Sequence, residues 1–179
     1  MSQDENPIRY FDNRLQKEAV KLLPGQYYAT ASDKALVTIL GSCVAACIFD
    51  QEKKIGGMNH FMVPDLNFTT NLDAWLASKY GVHAMNMLID QLVHLGARRN
   101  KLMAKAFGGG KVLPGFVQQD IGRVNAEFVL EYLDDAHIPL ISSDLMSTYA
   151  RKIYYFPADG NVYMKRIREF NNATLYERE

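Results

Sequence analysis

Short apolar runs separated by polar or glycine-containing breaks dominate this chain. Ala35 to Leu40 is an apolar, β-prone run, and Val44 to Phe49 is small, apolar and partly β-branched. Runs of this length bounded by turn residues read as buried strands. Gly41-Ser42 breaks the first from the second, Asp50-Gln-Glu-Lys-Lys54 forms a polar turn, and Ile55 to Val63 reads as the return strand, closed by Pro64-Asp65. Tyr27, Tyr28 and Thr30 suggest a further short strand, followed by a turn at Ser32-Asp-Lys34. Lys101 to Phe107, ended by Gly108-Gly-Gly110, and Ile138 to Ser142 add two more. Arg151 to Phe156 and Asn161 to Ile167 read as a hairpin around Ala158-Asp-Gly160.

The helical period is clearest from Val82 to Leu95, where Ala84, Leu88, Leu92 and Leu95 share a face, flanked by Met85 and Ile89 and stopped by Gly96. Asp120 caps a second helix whose expected buried face is Ile121, Val124, Phe128, Tyr132 and Leu133. Phe11, Leu15, Ala19 and Leu22 fall near helical spacing, which predicts a short helix or docked segment before Pro24-Gly25. Residues 66–79 read as irregular, with room for a short helix around Ala74-Trp75-Leu76. The sum is about seven or eight strands and two or three helices, an α/β (α+β) layered sandwich with mixed or antiparallel sheets. Residues 1–23 read as an N-terminal extension, 24–168 as one domain, and 169–179 as a charged tail.

Composition narrows the function more than the fold. With 20 basic and 20 acidic residues among 179, the chain has no basic surplus to favour nucleic acid. No apolar stretch is long enough to span a bilayer, and the first residues lack the features of a signal peptide. The two cysteines, Cys43 and Cys47, do not form a disulfide framework. A cytoplasmic protein with reduced thiols is expected.

The candidate chemistry lies in Leu40-Gly-Ser-Cys43-Val-Ala-Ala-Cys47 and Gly56-Gly-Met-Asn-His60. A cysteine on a tight turn and a histidine that folds back onto it are the minimum of a thiol nucleophile with its base. If residues 51–54 form the turn, Asp50 faces Ile55 and Ala45 faces His60. Cys43 and His60 are then diagonal neighbours on one face, with Cβ atoms about 7 Å apart. A one-residue slip would separate them. In that arrangement a thiolate–imidazolium pair would lower the cysteine pKa below its usual value of about 8.5. Gly41 and Ser42 give the chain a sharp turn whose backbone N–H groups suit an oxyanion. Thr38 is the nearest hydroxyl able to orient His60. Cys47, deeper in the apolar run, reads as a packed thiol.

Plainer readings fit the same residues. A small core cysteine and a satisfied histidine need no catalysis. Cys43, Cys47 and His60 lack a recognised zinc spacing, so no metal is expected, and a thiol nucleophile with its base needs no organic cofactor. His83 and His94 are expected to face solvent, and His137 to lie in a loop. Gly108-Gly109-Gly110-Lys111 lacks the phosphate-loop pattern; a strand-to-loop turn bordering the site is the better account. Trp75 and the tyrosines are expected to pack.

These motifs, together with Lys105-Ala-Phe-Gly-Gly109, Ile121-Gly-Arg-Val-Asn125 and the C-terminal hairpin, resemble the CheD family of chemoreceptor glutamine deamidases. The resemblance covers about residues 24 to 168. It implies a fold similar to the deamidase domain of cytotoxic necrotizing factors. The activity implied is hydrolysis of selected glutamine side chains in the cytoplasmic helical domain of methyl-accepting chemotaxis receptors, with glutamyl methyl esters as a second substrate for some members. It implies Cys43, His60 and Thr38 as catalytic residues, and the phosphatase CheC as a partner in many bacteria. A non-catalytic adaptor for receptors or CheC is the alternative. In some members the threonine stands one residue earlier, where this chain has Val37; a β-bulge would restore the geometry. Relatives also often carry glycines where this chain has Leu145-Met-Ser147.

Overall fold

A computed structural model describes residues 6–63, 71–112 and 120–167, with side chains in the first helix described from residue 80 onward. Among the described residues, ten strands and two α-helices follow one another. They are β1 (Ile8–Asp12), β2 (Lys17–Lys21), β3 (Tyr27–Thr30), β4 (Ala35–Leu40), β5 (Val44–Asp50), β6 (Ile55–Asn59), α1 (Asn71–His94), β7 (Met103–Gly108), α2 (Ile121–Asp135), β8 (Leu140–Leu145), β9 (Ala150–Phe156) and β10 (Asn161–Ile167). One five-stranded sheet has the order β1-β2-β4-β9-β10, and the other β3-β6-β5-β7-β8. Each contains both parallel and antiparallel pairs. Both helices pack on the second sheet. The result is an α+β layered fold: helices, sheet, sheet.

Strand alternation sorts the side chains between these layers. Val44, Ala46 and Ile48 of β5 turn toward Met85, Leu88, Leu92, Val129 and Leu133 of the helices. The intervening Ala45, Cys47 and Phe49 turn the other way, to meet Leu36 and Leu40 of β4 and Ile153 and Tyr155 of β9 between the sheets. Val37 and Ala35 of β4 lie on the outer face of their sheet with Ala19 of β2.

The expected register of β5 and β6 is present. Asp50 pairs with Ile55, Cys47 with Met58, and an isolated bridge joins Val44 to Phe61, so no slip occurs between β5 and its return. Asp50 is buried and receives the Arg98 Nε and Nη2 at 2.9 and 2.8 Å, which fixes the hairpin end to the segment before β7. The Arg98 guanidinium holds the Asp50 carboxyl well below the usual carboxylate range.

Several expectations are corrected. Residues 8–21 form an antiparallel hairpin, not a helix, and β2 joins β4 in parallel. Asp12 Oδ1 accepts from the Arg14 and Leu15 N–H groups, so a local turn takes the bonds a helix would have used. The short helix expected at Ala74-Trp75-Leu76 is part of α1, which runs unbroken from Asn71; residues 66–70 and the Trp75 side chain lie outside the described residues. In α2 the cap is as expected, with Asp120 accepting from the Arg123 N–H. Leu133 is buried as expected, but the rest of the buried face is Gly122, Asn125, Ala126 and Val129, rotated because the first turn packs on the loop after β7. A Cβ on Gly122 would lie 2.5 Å from the Gly109 carbonyl oxygen, so only glycine admits this approach.

Candidate active site

The site forms between the two sheets where β4 ends and the β5–β6 pairing runs out. β4 pairs with β9 in unbroken register from Leu36 to Leu40. The parity that sends Leu36 and Leu40 inward sends Thr38 inward too, and Val37 outward. No bulge is needed, which corrects that expectation.

Thr38 Oγ1 lies 2.7 Å from His60 Nδ1 and 2.7 Å from the Leu22 carbonyl oxygen. The threonine has one hydroxyl proton, and the carbonyl is only an acceptor. The hydroxyl therefore donates to Leu22, and Nδ1–H of His60 donates to the hydroxyl. This assigns the tautomer: Nε2 carries the lone pair. His60 Nε2 is buried and has no hydrogen-bond partner. The backbone of His60 is held as tightly, with its N–H on the Gln26 carbonyl at 2.9 Å and its carbonyl on the Gly25 N–H at 2.7 Å.

Cys43 sits in the loop between β4 and β5, partly exposed, against the apolar layer between the sheets. Burial pushes its thiol up to about 11, while its own N–H draws it slightly the other way. Burial lowers His60 to about 4, against a weaker upward pull from the Leu22 carbonyl. Against the expected thiolate–imidazolium pair, desolvation favours the neutral form of each group. Cys47 is fully buried, and its burial drives its pKa upward, as befits a packed thiol.

The loop carrying Cys43 is pinned through three successive carbonyls. Gly41 O accepts from Gly110 N at 2.9 Å, Ser42 O from Asn125 Nδ2 at 2.9 Å, and Cys43 O from Gly109 N at 2.8 Å. Among the described residues, the N–H groups of Ser42 and Cys43 donate to no carbonyl. The Gly108–Gly110 turn thus borders the site, as its sequence suggests. Arg151, fully buried, donates in turn to the carbonyls of Gly108, Asp144 and Met146 and holds that turn against the loop after β8. In that loop Met146 and Ser147 adopt positive φ values of 66° and 70°.

Sequence reasoning missed the Leu22 carbonyl, Asn125 and Arg151. Leu22 fell in the stretch read as helical, and the carboxamide and guanidinium act on backbone carbonyls remote in sequence. His83, His94 and His137 are exposed. Among the described residues no histidine, cysteine and carboxylate cluster could hold a metal, and no helix is long and apolar enough to cross a membrane.

Known proteins are similar in sequence to this chain. The family described as CheD chemotactic sensory transduction matches residues 62–166. The chain is 50% identical over 173 residues to the probable chemoreceptor glutamine deamidase CheD 1 of Shewanella oneidensis, covering 97% of this chain and 84% of that one. It is 48% identical over 171 residues to the protein of the same name from Dechloromonas aromatica, covering 96% and 84%. The solved hypothetical protein YfiH of Bacillus licheniformis aligns with a TM-score of 0.41 at 14% identity, over 68% of this chain and 51% of that one, too distant to bear on the site. Similarity to the named relatives extends over nearly the whole chain, the segments carrying Thr38, Cys43 and His60 included, and this chain belongs to the CheD family.

Proposed function

We propose that this protein deamidates glutamine side chains of methyl-accepting chemotaxis receptors, with Cys43 as nucleophile, His60 as its base and Thr38 orienting the imidazole. The observation that carries the reading is the bare His60 Nε2. Thr38 fixes the proton on Nδ1, and a buried ring nitrogen with no partner is one kept for a proton. The names of the relatives supply the substrate class.

Because thiol and imidazole rest neutral, proton transfer accompanies attack. His60 Nε2 takes the proton of Cys43 as the sulfur bonds to the glutamine Cδ. A trans peptide directs its N–H opposite to its C=O. With the Gly41 and Ser42 carbonyls anchored on Gly110 and Asn125, the N–H of Ser42 turns away from the Gly108–Gly110 turn and that of Cys43 away from α2. There they serve the oxyanion of the tetrahedral intermediate. The imidazolium gives its proton to the amide nitrogen, which leaves as ammonia. His60 then activates a water that cleaves the thioester to glutamate and regenerates the thiol. The same acyl chemistry accepts a glutamyl methyl ester, with methanol as the leaving group.

Ammonia release from a receptor cytoplasmic fragment tests the reading. Activity is expected in the wild type and Cys47→Ala, and none in Cys43→Ala or His60→Ala. Activity retained in Cys43→Ala contradicts the mechanism. Receptor binding without ammonia release from the wild type supports the adaptor alternative. Co-elution with CheC tests that partner, which the family resemblance implies.

A further inference from the structure

We infer that Asn125 is a positioning residue that sets the Cys43 N–H for the oxyanion and locks the nucleophile loop to the segment after His60; the inference rests on the deamidase reading. The Asn125 side chain is fully buried on α2. Its Nδ2 donates to the Ser42 carbonyl at 2.9 Å, and its Oδ1 accepts from the Val63 N–H at 2.8 Å. One carboxamide thus joins the residue before the nucleophile to a residue just past the base.

The chemistry of the pair selects the side chain. Ser42 offers an acceptor and Val63 a donor, so the clamp must present a donor and an acceptor together. Asparagine does so; an ionised aspartate of the same shape only accepts. The bond to Ser42 acts on a peptide plane. Holding that carbonyl on α2 aims the N–H of the next residue, Cys43, to the opposite side. The contact is possible because Gly122, one turn earlier on the same buried face, lets α2 approach the Gly108–Gly110 turn. Asn125 touches neither sulfur nor substrate. Its effect falls on charge stabilisation in the transition state, and so on kcat more than on KM.

The test is receptor deamidation by full-length wild type, Asn125→Asp and Asn125→Ala from about pH 5 to about pH 9. In Asn125→Asp the introduced carboxyl offers Ser42 a donor when protonated and loses it when ionised. The ratio of Asn125→Asp kcat to wild-type kcat is therefore expected to fall at least about tenfold as pH rises, with KM within about twofold. Asn125→Ala is expected to show a similar kcat loss without recovery in acid. A pH-independent ratio, or a loss confined to KM, overturns the inference. Should Asn125→Asp not fold, the kcat and KM split of Asn125→Ala decides. If the wild type itself releases no ammonia, the deamidase reading fails. The oxyanion part of the inference then fails with it, and iodoacetamide alkylation of Cys43, which needs no receptor, tests the lock on the Cys43 loop alone. Wild-type and Asn125→Ala alkylation rates that differ support that lock, and equal ones overturn it.

Discussion

Thr38 and His60 belong to different layers, and the 2.7 Å contact between the Thr38 hydroxyl and His60 Nδ1 crosses the interior between them. The Leu22 carbonyl completes this relay at 2.7 Å. The Thr38 hydroxyl thus gives the imidazole Nδ1–H an acceptor without adding a charge to the apolar layer.

Thr38→Val keeps the shape and leaves the Nδ1 proton without an acceptor. A loss of about tenfold or more in kcat is expected, together with about 1–3 kcal/mol of stability for the unsatisfied buried donor. Thr38→Ser is expected to keep most of both. Steady-state kinetics and urea unfolding check this; wild-type kcat in Thr38→Val contradicts the relay.

The low pKa of His60, about 4, has a definite sign in stability. Its folded value lies below the unfolded value of about 6.5. Between them the unfolded chain binds a proton that the folded chain does not, so stability falls as pH drops through that window. Asp50, held low by Arg98, adds a further loss below its ordinary carboxylate range. Thermal unfolding against pH is expected to show both phases. His60→Gln is expected to lose the upper one only, and an unchanged upper phase counts against the buried neutral imidazole.

A neutral resting thiol makes Cys43 slow toward iodoacetamide near neutral pH. Its rate is expected to keep rising past the value of about 8.5 typical of a free cysteine, toward about 11. Cys47 is expected to react only on unfolding. Slow alkylation is thus compatible with catalysis, since the base acts during attack. A rate plateau below pH of about 7 contradicts the neutral pair.

Met146 and Ser147 hold left-handed backbone without being glycine. Such a conformation costs a side-chain-bearing residue about 1–2 kcal/mol, partly offset by the greater freedom of unfolded glycine. Ser147→Gly is expected to raise the melting temperature by about 2 °C with activity unchanged. A lower melting temperature contradicts this.

Much of the fold was legible because β5, β6, β9 and β10 are continuous runs bounded by strong turns. The Asp50 to Lys54 turn set the parity that puts Cys43 and His60 on one face. The first hairpin was not legible: the spacing of Phe11, Leu15, Ala19 and Leu22 mimics a helix, and the decisive bonds come from Asp12 to its own neighbours. The buried face of α2 was misread because Gly122 and Asn125 are not apolar. They are buried by backbone contacts to the Gly108–Gly110 turn and the Cys43 loop. The ionisation of Cys43 was misread for a related reason, since burial is a property of the layers and not of the hairpin alone.

The central claim is that Cys43 opens the amide of a receptor glutamine. Peptide mapping by mass spectrometry of a receptor cytoplasmic fragment, incubated with wild type or with Cys43→Ala, tests it most directly. The account predicts selected glutamine peptides heavier by about one dalton after wild-type treatment, as the amide is replaced by a carboxyl group, and unchanged peptides after Cys43→Ala. The same shifted peptides with Cys43→Ala, or none with either protein, would contradict it.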